Sequence, residues 1–403
     1  MIMERVTLTV GAVAHGGHCV ARVGDPPGQV VFVRHALPGE RVVAEITEEH
    51  PGYLRADAIS VLEASPDRVE PPCPYARPDA CGGCDLQHVA PAAQLSWKAA
   101  VVREQLARLA GLPDFPVRVE PLPGGTLGWR TRVRYTVDAA DHAGLLKHRS
   151  HEVVPIDRCR IAHPAIQELP VTGRPWPSAS TVDAVAPSAG PAVAAPDGDF
   201  DGPIVERAAG REWTLPAGAF WQVHPAAADT LAGAVLDLLE PRPGESAWDL
   251  YGGAGLFAAA LAGKLGTDAD ITLVEAAHSA VAAARDNLTD LTGLRVVRST
   301  VEAAVVGSGR GRARRGPALR GPVDLIVLDP PRTGAGAAVT KAVMAADPRA
   351  VAYVACDPAA FARDVRTFRD GGWQLATLRA FDLFPMTHHV ECVGLLSRIP
   401  LGG

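Results

Sequence analysis

No stretch of the chain approaches the ~20 consecutive apolar residues that a membrane-spanning helix needs. The first residues, Met1-Ile2-Met3-Glu4-Arg5, lack the basic start and long apolar run of a secretory leader. These absences set the expectation of a cytoplasmic protein, with no membrane partner, whose thiols stay reduced. An excess of basic residues is missing too. The net charge is −6, so the chain as a whole is not built like a nucleic-acid binder, and such a role would fall to local patches. One patch is Arg310 to Arg320, with five arginines among glycines and prolines, which reads as a solvated, disordered loop. Another is Trp129-Arg130-Thr131-Arg132-Val133-Arg134-Tyr135, which alternates like a strand with its three arginines on one face. That face either contacts RNA or is simply solvated. Internal repeats are absent as well, so the domains are not copies of one another.

What is present is ordinary in amount: 403 residues, 47% apolar and 21% charged, enough for two or three domains with a substantial core. Residues 1–65 hold short alternating runs (Val6–Val10, Gln29–Val33, Glu40–Ile46) separated by Gly16-Gly17, Asp25-Pro26-Pro27-Gly28 and Pro38-Gly39. That is the pattern of a small β-barrel, a shape that often binds oligonucleotides. Residues 66–205 read as a central α+β region with a Pro- and Cys-rich start, a helix from Pro91 to Ala110 and strand-like runs between Arg130 and Ile156. Within it, 171–202 is Pro-, Ala- and Ser-rich without periodicity and is expected to be a disordered insertion. From 206 to 403 strands and helices alternate, which predicts a Rossmann-like, doubly wound α/β domain with a mostly parallel sheet.

In such a sheet, ligands bind beyond the carboxyl ends of the strands. Asp249-Leu250-Tyr251-Gly252-Gly253-Ala254-Gly255 lies where the first strand turns into its helix, and its glycines allow close approach of a ligand. The next strand ends with Glu275, a position suited to ribose hydroxyls. A later one ends with Leu328-Asp329-Pro330-Pro331-Arg332, an acid-Pro-Pro corner of the kind used by S-adenosylmethionine-dependent transferases on planar nitrogen or ring targets. The run Val351–Ala355 ends in Cys356-Asp357-Pro358. Pro358 suits the first turn of a helix, and a thiol at a helix N-terminus is expected to have a lowered pKa. Downstream, His388-His389-Val390-Glu391 supplies a carboxylate. A nucleophile, a cofactor site and a general base thus fall in one domain.

These segments resemble the S-adenosylmethionine-dependent RNA 5-methyluridine methyltransferases with an N-terminal TRAM barrel. The resemblance covers most of the chain outside 171–202 and the Arg310–Arg320 insertion. Phe220-Trp221-Gln222-Val223-His224-Pro225 resembles the family's Phe-x-Gln-Val-Asn segment, which makes Gln222 a cofactor contact together with Tyr251, Gly253, Gly255, Glu275 and Asp329. Tyr353 to Pro358 resembles Tyr-Val-Ser-Cys-Asn-Pro, which implies Cys356 as nucleophile. Phe384 to Glu391 matches the segment carrying the base, which implies Glu391 in that role. The implied reaction is methylation at C5 of a uridine in 23S rRNA or tRNA by a monomeric enzyme. Cysteine adds at C6 and glutamate removes the C5 proton, with His389 the nearest alternative base. Leu256 and His224 stand where the family has asparagine, which changes the surroundings of the cofactor. Related 5-methylcytidine enzymes carry a cysteine in the motif that here reads Asp329-Pro330-Pro331, and its absence favours uracil. A non-catalytic RNA-binding or assembly factor that kept the fold is the competing reading. It should have lost Cys356 or Glu391, and both are present.

Of seven cysteines, Cys73, Cys81 and Cys84 lie close together and Cys159 stands apart in sequence. In a reducing compartment the set points to a metal site rather than disulfides, and the spacing suits zinc and an iron–sulfur cluster equally. The resemblance implies a [4Fe–4S] cluster with a structural role. Cys19 and Cys392 read as packing residues.

Overall fold

A computed structural model describes residues 4–25, 28–216, 218–307, 316 and 318–399. The alternating N-terminal runs become β1 (Arg5–Thr9), β2 (Val13–Ala14), β3 (His18–Val23), β4 (Gln29–Arg34), β5 (Arg41–His50) and β6 (Tyr53–Glu63), one sheet in the order β1-β5-β6-β4-β3-β2. Backbone bonds from Gly11 N to Val20 O (2.7 Å) and from Val20 N to Ala12 O (2.8 Å) tie the end of β1 to β3 and curl the sheet into the expected barrel. Leu8, Val31, Val33 and Val42 fill it, and Trp97 and Val101 of helix α1 (Pro91–Gln105) pack into the same core.

The central region contains β7 (Val119–Pro121), β8 (Arg132–Val137), β9 (Ala143–Leu146), β10 (Val153–Val154), α2 (Pro164–Gln167), β11 (Thr181–Val185) and β12 (Val193–Pro196). Five of these strands form a sheet in the order β10-β9-β8-β11-β12. The segment expected to be a disordered insertion, 171–202, therefore supplies two paired strands. Val182 and Ala184 bury against Val133 and Tyr135, and Asp197 accepts hydrogen bonds from the backbone of Ser180 and Thr181. Alanine does the inward packing in place of larger residues, which hid the period-2 signal. Two of the three arginines lie on β8 and Arg130 stands just before it, and all three are engaged within the protein. Arg134 forks onto Asp183, Arg132 onto Glu206 and Ala219 O, and Arg130 onto Arg132 O.

A hairpin, β13 (Ile204–Ala208) and β14 (Arg211–Leu215), leads into the C-terminal domain. There α3 (Ala227–Leu239), β15 (Ala247–Leu250), α4 (Leu256–Leu265), β16 (Ile271–Glu275), α5 (His278–Asn287), β17 (Leu294–Arg298), α6 (Val301–Val305), β18 (Leu325–Leu328), α7 (Gly336–Ala345), β19 (Ala350–Ala355), α8 (Pro358–Asp370), β20 (Trp373–Asp382) and β21 (Glu391–Arg398) follow in turn. The sheet order is β17-β16-β15-β18-β19-β21-β20-β7, parallel from β17 to β19 with β21 antiparallel. β15, β18 and β19 are buried along their whole length, as strands covered by helices on both faces must be. β7, although central in sequence, pairs in parallel with β20 and extends this sheet. The chain runs outward from β15 to β17 and then crosses back to β18, which makes the β15/β18 junction the switch point. No helix among the described residues is long and apolar enough to cross a membrane. Most of the arginine-rich stretch, 308–315 and 317, lies outside the described residues; Leu319, inside them, is buried in the core.

Candidate active site

At the switch point the chain leaves β15 with Tyr251 in the left-handed region (φ 65°) and reaches α4 through Gly252, Gly253 and Gly255. A side chain at Gly252 would lie 2.6 Å from Leu273 Cγ, and one at Gly255 2.4 Å from Leu288 Cδ1, so both glycines are fixed by packing. A Cβ at Gly253 (φ 54°) would meet open space, which leaves its backbone accessible to a ligand. Gly253 N donates to Glu275 Oε2 (3.1 Å) and Ala277 N to Glu275 Oε1 (2.6 Å), so Glu275 at the end of β16 is held by two backbone donors. Burial pushes the Tyr251 phenol up to about 12. Asp329, just past β18, anchors to Leu250 O through its backbone N–H (3.2 Å), and burial with the Asp249 charge raises its carboxyl to about 7. Gln222 belongs to the segment before α3, which is held just ahead of β8 by bonds from Thr131 N and Oγ1 to Val223 O (2.8 and 2.9 Å). Its side chain makes no hydrogen bond to the other five positions among the described residues.

Cys356 is the first residue beyond β19 and Glu391 the first of β21. Ala355 pairs with Cys392, so one step further the antiparallel register sets Cys356 opposite Glu391. The expected lowering of the thiol pKa does not occur. Burial, and then the Glu391 and Asp329 carboxylates, push Cys356 up to about 11 against the pull of Arg332. The helix end that was to favour the thiolate is already capped by Asp357, whose carboxylate accepts from Ala360 N (2.7 Å). Glu391 is itself raised well above the usual carboxylate range by burial and by Asp329. His389, the alternative base, is half-buried beside His388 and Arg332, and desolvation with those neighbouring charges drops it to about 3; its Nε2 lies 3.3 Å from an Arg332 nitrogen.

A TRAM-domain family model matches residues 1–59, and one for tRNA (Uracil-5-)-methyltransferase matches residues 208–399. A Streptomyces avermitilis protein named as an uncharacterized RNA methyltransferase is 48% identical, covering 98% of each chain. The chain belongs to the RNA uracil-C5 methyltransferase family. Another member, from Thiobacillus denitrificans and named 23S rRNA (uracil(1939)-C(5))-methyltransferase RlmD, is 31% identical over 95% of this chain and 98% of its own. The fold matches that of a Pyrococcus abyssi tRNA (uracil-54, C5)-methyltransferase solved with S-adenosyl-L-homocysteine, with a TM-score of 0.67 and 21% identity over 96% and 99% of the two chains.

In this RNA uracil-C5 methyltransferase the loop leading to Glu391 is bolted to the cysteine-bearing segment. Asp85 N and Leu86 N donate to Met386 O, Met386 N donates to Gln94 Oε1, and Asp85 meets His388 Nδ1 at 2.6 Å. Lys98, fully buried, reaches Asp382 at 2.5 Å and Phe384 O at 3.0 Å. The fold brings distant Cys159 beside Cys73, Cys81 and Cys84, close enough that the thiols disfavour one another's ionisation. Burial acts first on Cys81, which rises to about 11. All four are free thiols, and no metal-holding group of His, Cys, Asp or Glu is formed among the described residues.

Two positions of the site escaped the sequence reading. Asp249 is fully buried in β15. One of its oxygens accepts from Ala258 N (2.9 Å) and Oδ1 has no partner, and burial raises the carboxyl to about 7. Arg332 is the cation facing both Cys356 and Glu391. Both stand inside quoted motifs, so the signal was present, but only tertiary packing shows that one is orphaned and the other is the counter-charge.

Proposed function

We propose that the protein methylates C5 of a specific uridine in RNA, with large-subunit rRNA as the substrate and tRNA as the second candidate. The placement of Cys356 opposite Glu391 at the switch-point edge carries this reading. The name of the Thiobacillus denitrificans relative supports the choice of rRNA. Gln222, Tyr251, Gly253, Gly255, Glu275 and Asp329 would hold S-adenosylmethionine. The open space over Gly253 and the unpartnered Asp249 Oδ1 fit a ligand with hydrogen-bond donors. The bound cofactor supplies an electrophilic methyl group on a positively charged sulfur.

Uracil C5 is a weak nucleophile. Adding the Cys356 thiolate at C6 makes C5 electron-rich, and after C5 is methylated the Glu391 carboxylate takes the C5 proton. The thiolate then leaves and the ring double bond is restored. Arg332 is placed to favour the ionised form of both groups. Once the thiolate charge is consumed in the C6–S bond, one negative charge facing Glu391 is gone, which eases its ionisation. The target base must leave its stack for these contacts. Cys73, Cys81, Cys84 and Cys159 would hold a [4Fe–4S] cluster. Four free thiols, with Cys159 brought toward the other three, support this reading, with zinc as the alternative.

Cys356→Ala should abolish turnover while cofactor binding persists. Glu391→Gln should instead accumulate a covalent protein–RNA adduct that survives denaturing electrophoresis, as should the wild type on 5-fluorouridine RNA. Activity retained by Cys356→Ala would overturn the mechanism. Mapping 5-methyluridine in a strain lacking the gene identifies the RNA.

A further inference from the structure

Between the barrel and the cysteine-bearing segment lies a cavity of about 350 Å³, lined by Arg34, Arg55, Arg77, Lys147 and Arg149 together with Glu48, Asp57 and Asp79. Five cations against three carboxylates leave the lining at +2 when its histidines are neutral. Arg34 decides what the cavity is for. Its side chain is only 7% exposed, and its contacts to Asp57 (3.8 Å) and Asp85 (3.6 Å) are longer than hydrogen bonds. Its Nε is buried with no hydrogen-bond partner; the Nε of Arg55 has none either, but lies 3.4 Å from a Glu48 carboxylate oxygen. Buried guanidinium donors left open in this way are costly unless an anionic acceptor arrives. Glu48, 3.3 Å from Arg149, and Asp79, 2.6 Å from Lys147, hold the outer cations in place.

Beside the cations is a ledge of half-buried rings. The Arg55 guanidinium lies 5.5 Å from the Tyr53 ring and 6.0 Å from Phe32, and His50 stacks on Tyr53 at 4.4 Å. Phosphate-seeking donors next to an aromatic ledge are what an unstacked RNA strand requires. The same barrel meets the active site, because His15 Nε2 lies 3.3 Å from Asp357 Oδ2, next to Cys356. A strand lying on the barrel is therefore led toward the nucleophile.

We propose that this cavity binds the substrate RNA, with a backbone phosphodiester on Arg34 and Arg149 and an adjoining base on the Tyr53–His50 ledge. The proposal rests on the RNA substrate inferred above and adds where the strand is gripped outside the reacting site. The probe is a fluorescent single-stranded oligouridylate titrated at several salt concentrations, with S-adenosylhomocysteine affinity measured in parallel. Arg149→Ala and Arg34→Met should each weaken RNA binding roughly tenfold. Each should also flatten the log–log salt dependence by about 0.7. Tyr53→Ala should weaken binding without changing the salt slope, and none should alter S-adenosylhomocysteine affinity. Arg149 and Tyr53 lie at the surface of the barrel junction, so their variants keep the test open if Arg34→Met fails to fold. Unchanged RNA affinity and slope in Arg149→Ala and Tyr53→Ala, with wild-type binding intact, would overturn the cavity assignment alone. Uridine monophosphate binding as tightly as the oligomer would make this a small-anion site and also overturn it. A wild type that binds S-adenosylhomocysteine but no RNA would overturn the substrate reading and this one with it.

Discussion

Two regions of the molecule hold buried acids and treat them in opposite ways. At the carboxyl edge of the C-terminal sheet, Asp249, Asp329, Glu391 and the Cys356 thiol are all pushed above their ordinary values, with Arg332 the cation opposing this at Cys356 and Glu391. At the joint between the modules, burial pushes upward on Glu40 and Asp85 too, yet both stay below the usual range. Glu40 is gripped by Arg68 and by the backbone N–H groups of Leu37 and Ser65, and Asp85 by His388 and Arg34. Asp382, a third acid of the joint, has Lys98. Burial is common to both regions, so the supply of cations and donors makes the difference. The fold satisfies acids where it only has to hold modules together. It leaves them short of positive charge at the edge where, on the proposed function, a cationic cofactor and a proton come and go.

The satisfied region should break hardest. Lys98→Ala leaves Asp382 buried without its cation, beneath the loop that leads to Glu391, and should cost about 3–5 kcal/mol of stability. Lys98→Met with Asp382→Asn should recover most of that loss, because the penalty belongs to the stranded charge. Chemical denaturation of the two variants checks this. Equal loss in the single and double variants would mean that packing, not charge, matters there.

The unsatisfied region should show its character through pH. Asp249 has a folded-state pKa of about 7, against about 3.9 in an open chain. Between these values the folded protein keeps a proton that the unfolded chain has released. Stability therefore falls as pH rises from about 4 to about 7, and levels off above. Asp249→Asn removes this titration and should flatten the fall by on the order of 2–4 kcal/mol. Melting temperatures at pH 5 and pH 8 make the comparison, and an identical pH profile in the variant would place the cost elsewhere.

Much of this contrast was visible in the sequence, but not all of it. The βα alternation, the glycine turn and the strand-end acids placed Tyr251, Glu275, Asp329 and Cys356 on one edge, because a parallel sheet aligns its carboxyl ends. The fold of 171–202 was not legible, since alanines packing in a β-sheet leave no strong periodicity. The ionisation of Cys356 was misjudged for a related reason. Sequence shows a helix start after the thiol, but not that Asp357 caps it or that two carboxylates crowd in from β18 and β21. Pairings such as Asp85 with His388, about 300 residues apart in sequence, depend on tertiary packing alone.

Glu391→Gln tests the crowding with the smallest effect and the sharpest signature. Wherever Glu391 is protonated it places no charge on Cys356, and its replacement should hardly alter alkylation of that thiol by iodoacetamide. Wherever Glu391 is ionised, its charge resists formation of the Cys356 thiolate. The glutamine variant is free of that opposition, so its alkylation rate should keep rising where the wild type lags. The gap should reach about threefold to tenfold where Glu391 is ionised and close as the pH falls and Glu391 takes up its proton. Burial, the larger cause of the raised thiol pKa, is the same in both proteins and so cancels. Peptide mass analysis assigns the label to Cys356 rather than to Cys73, Cys81, Cys84 or Cys159. A constant ratio across the whole pH range would mean that the two groups do not sense each other, and the shared-charge account of the site would fail.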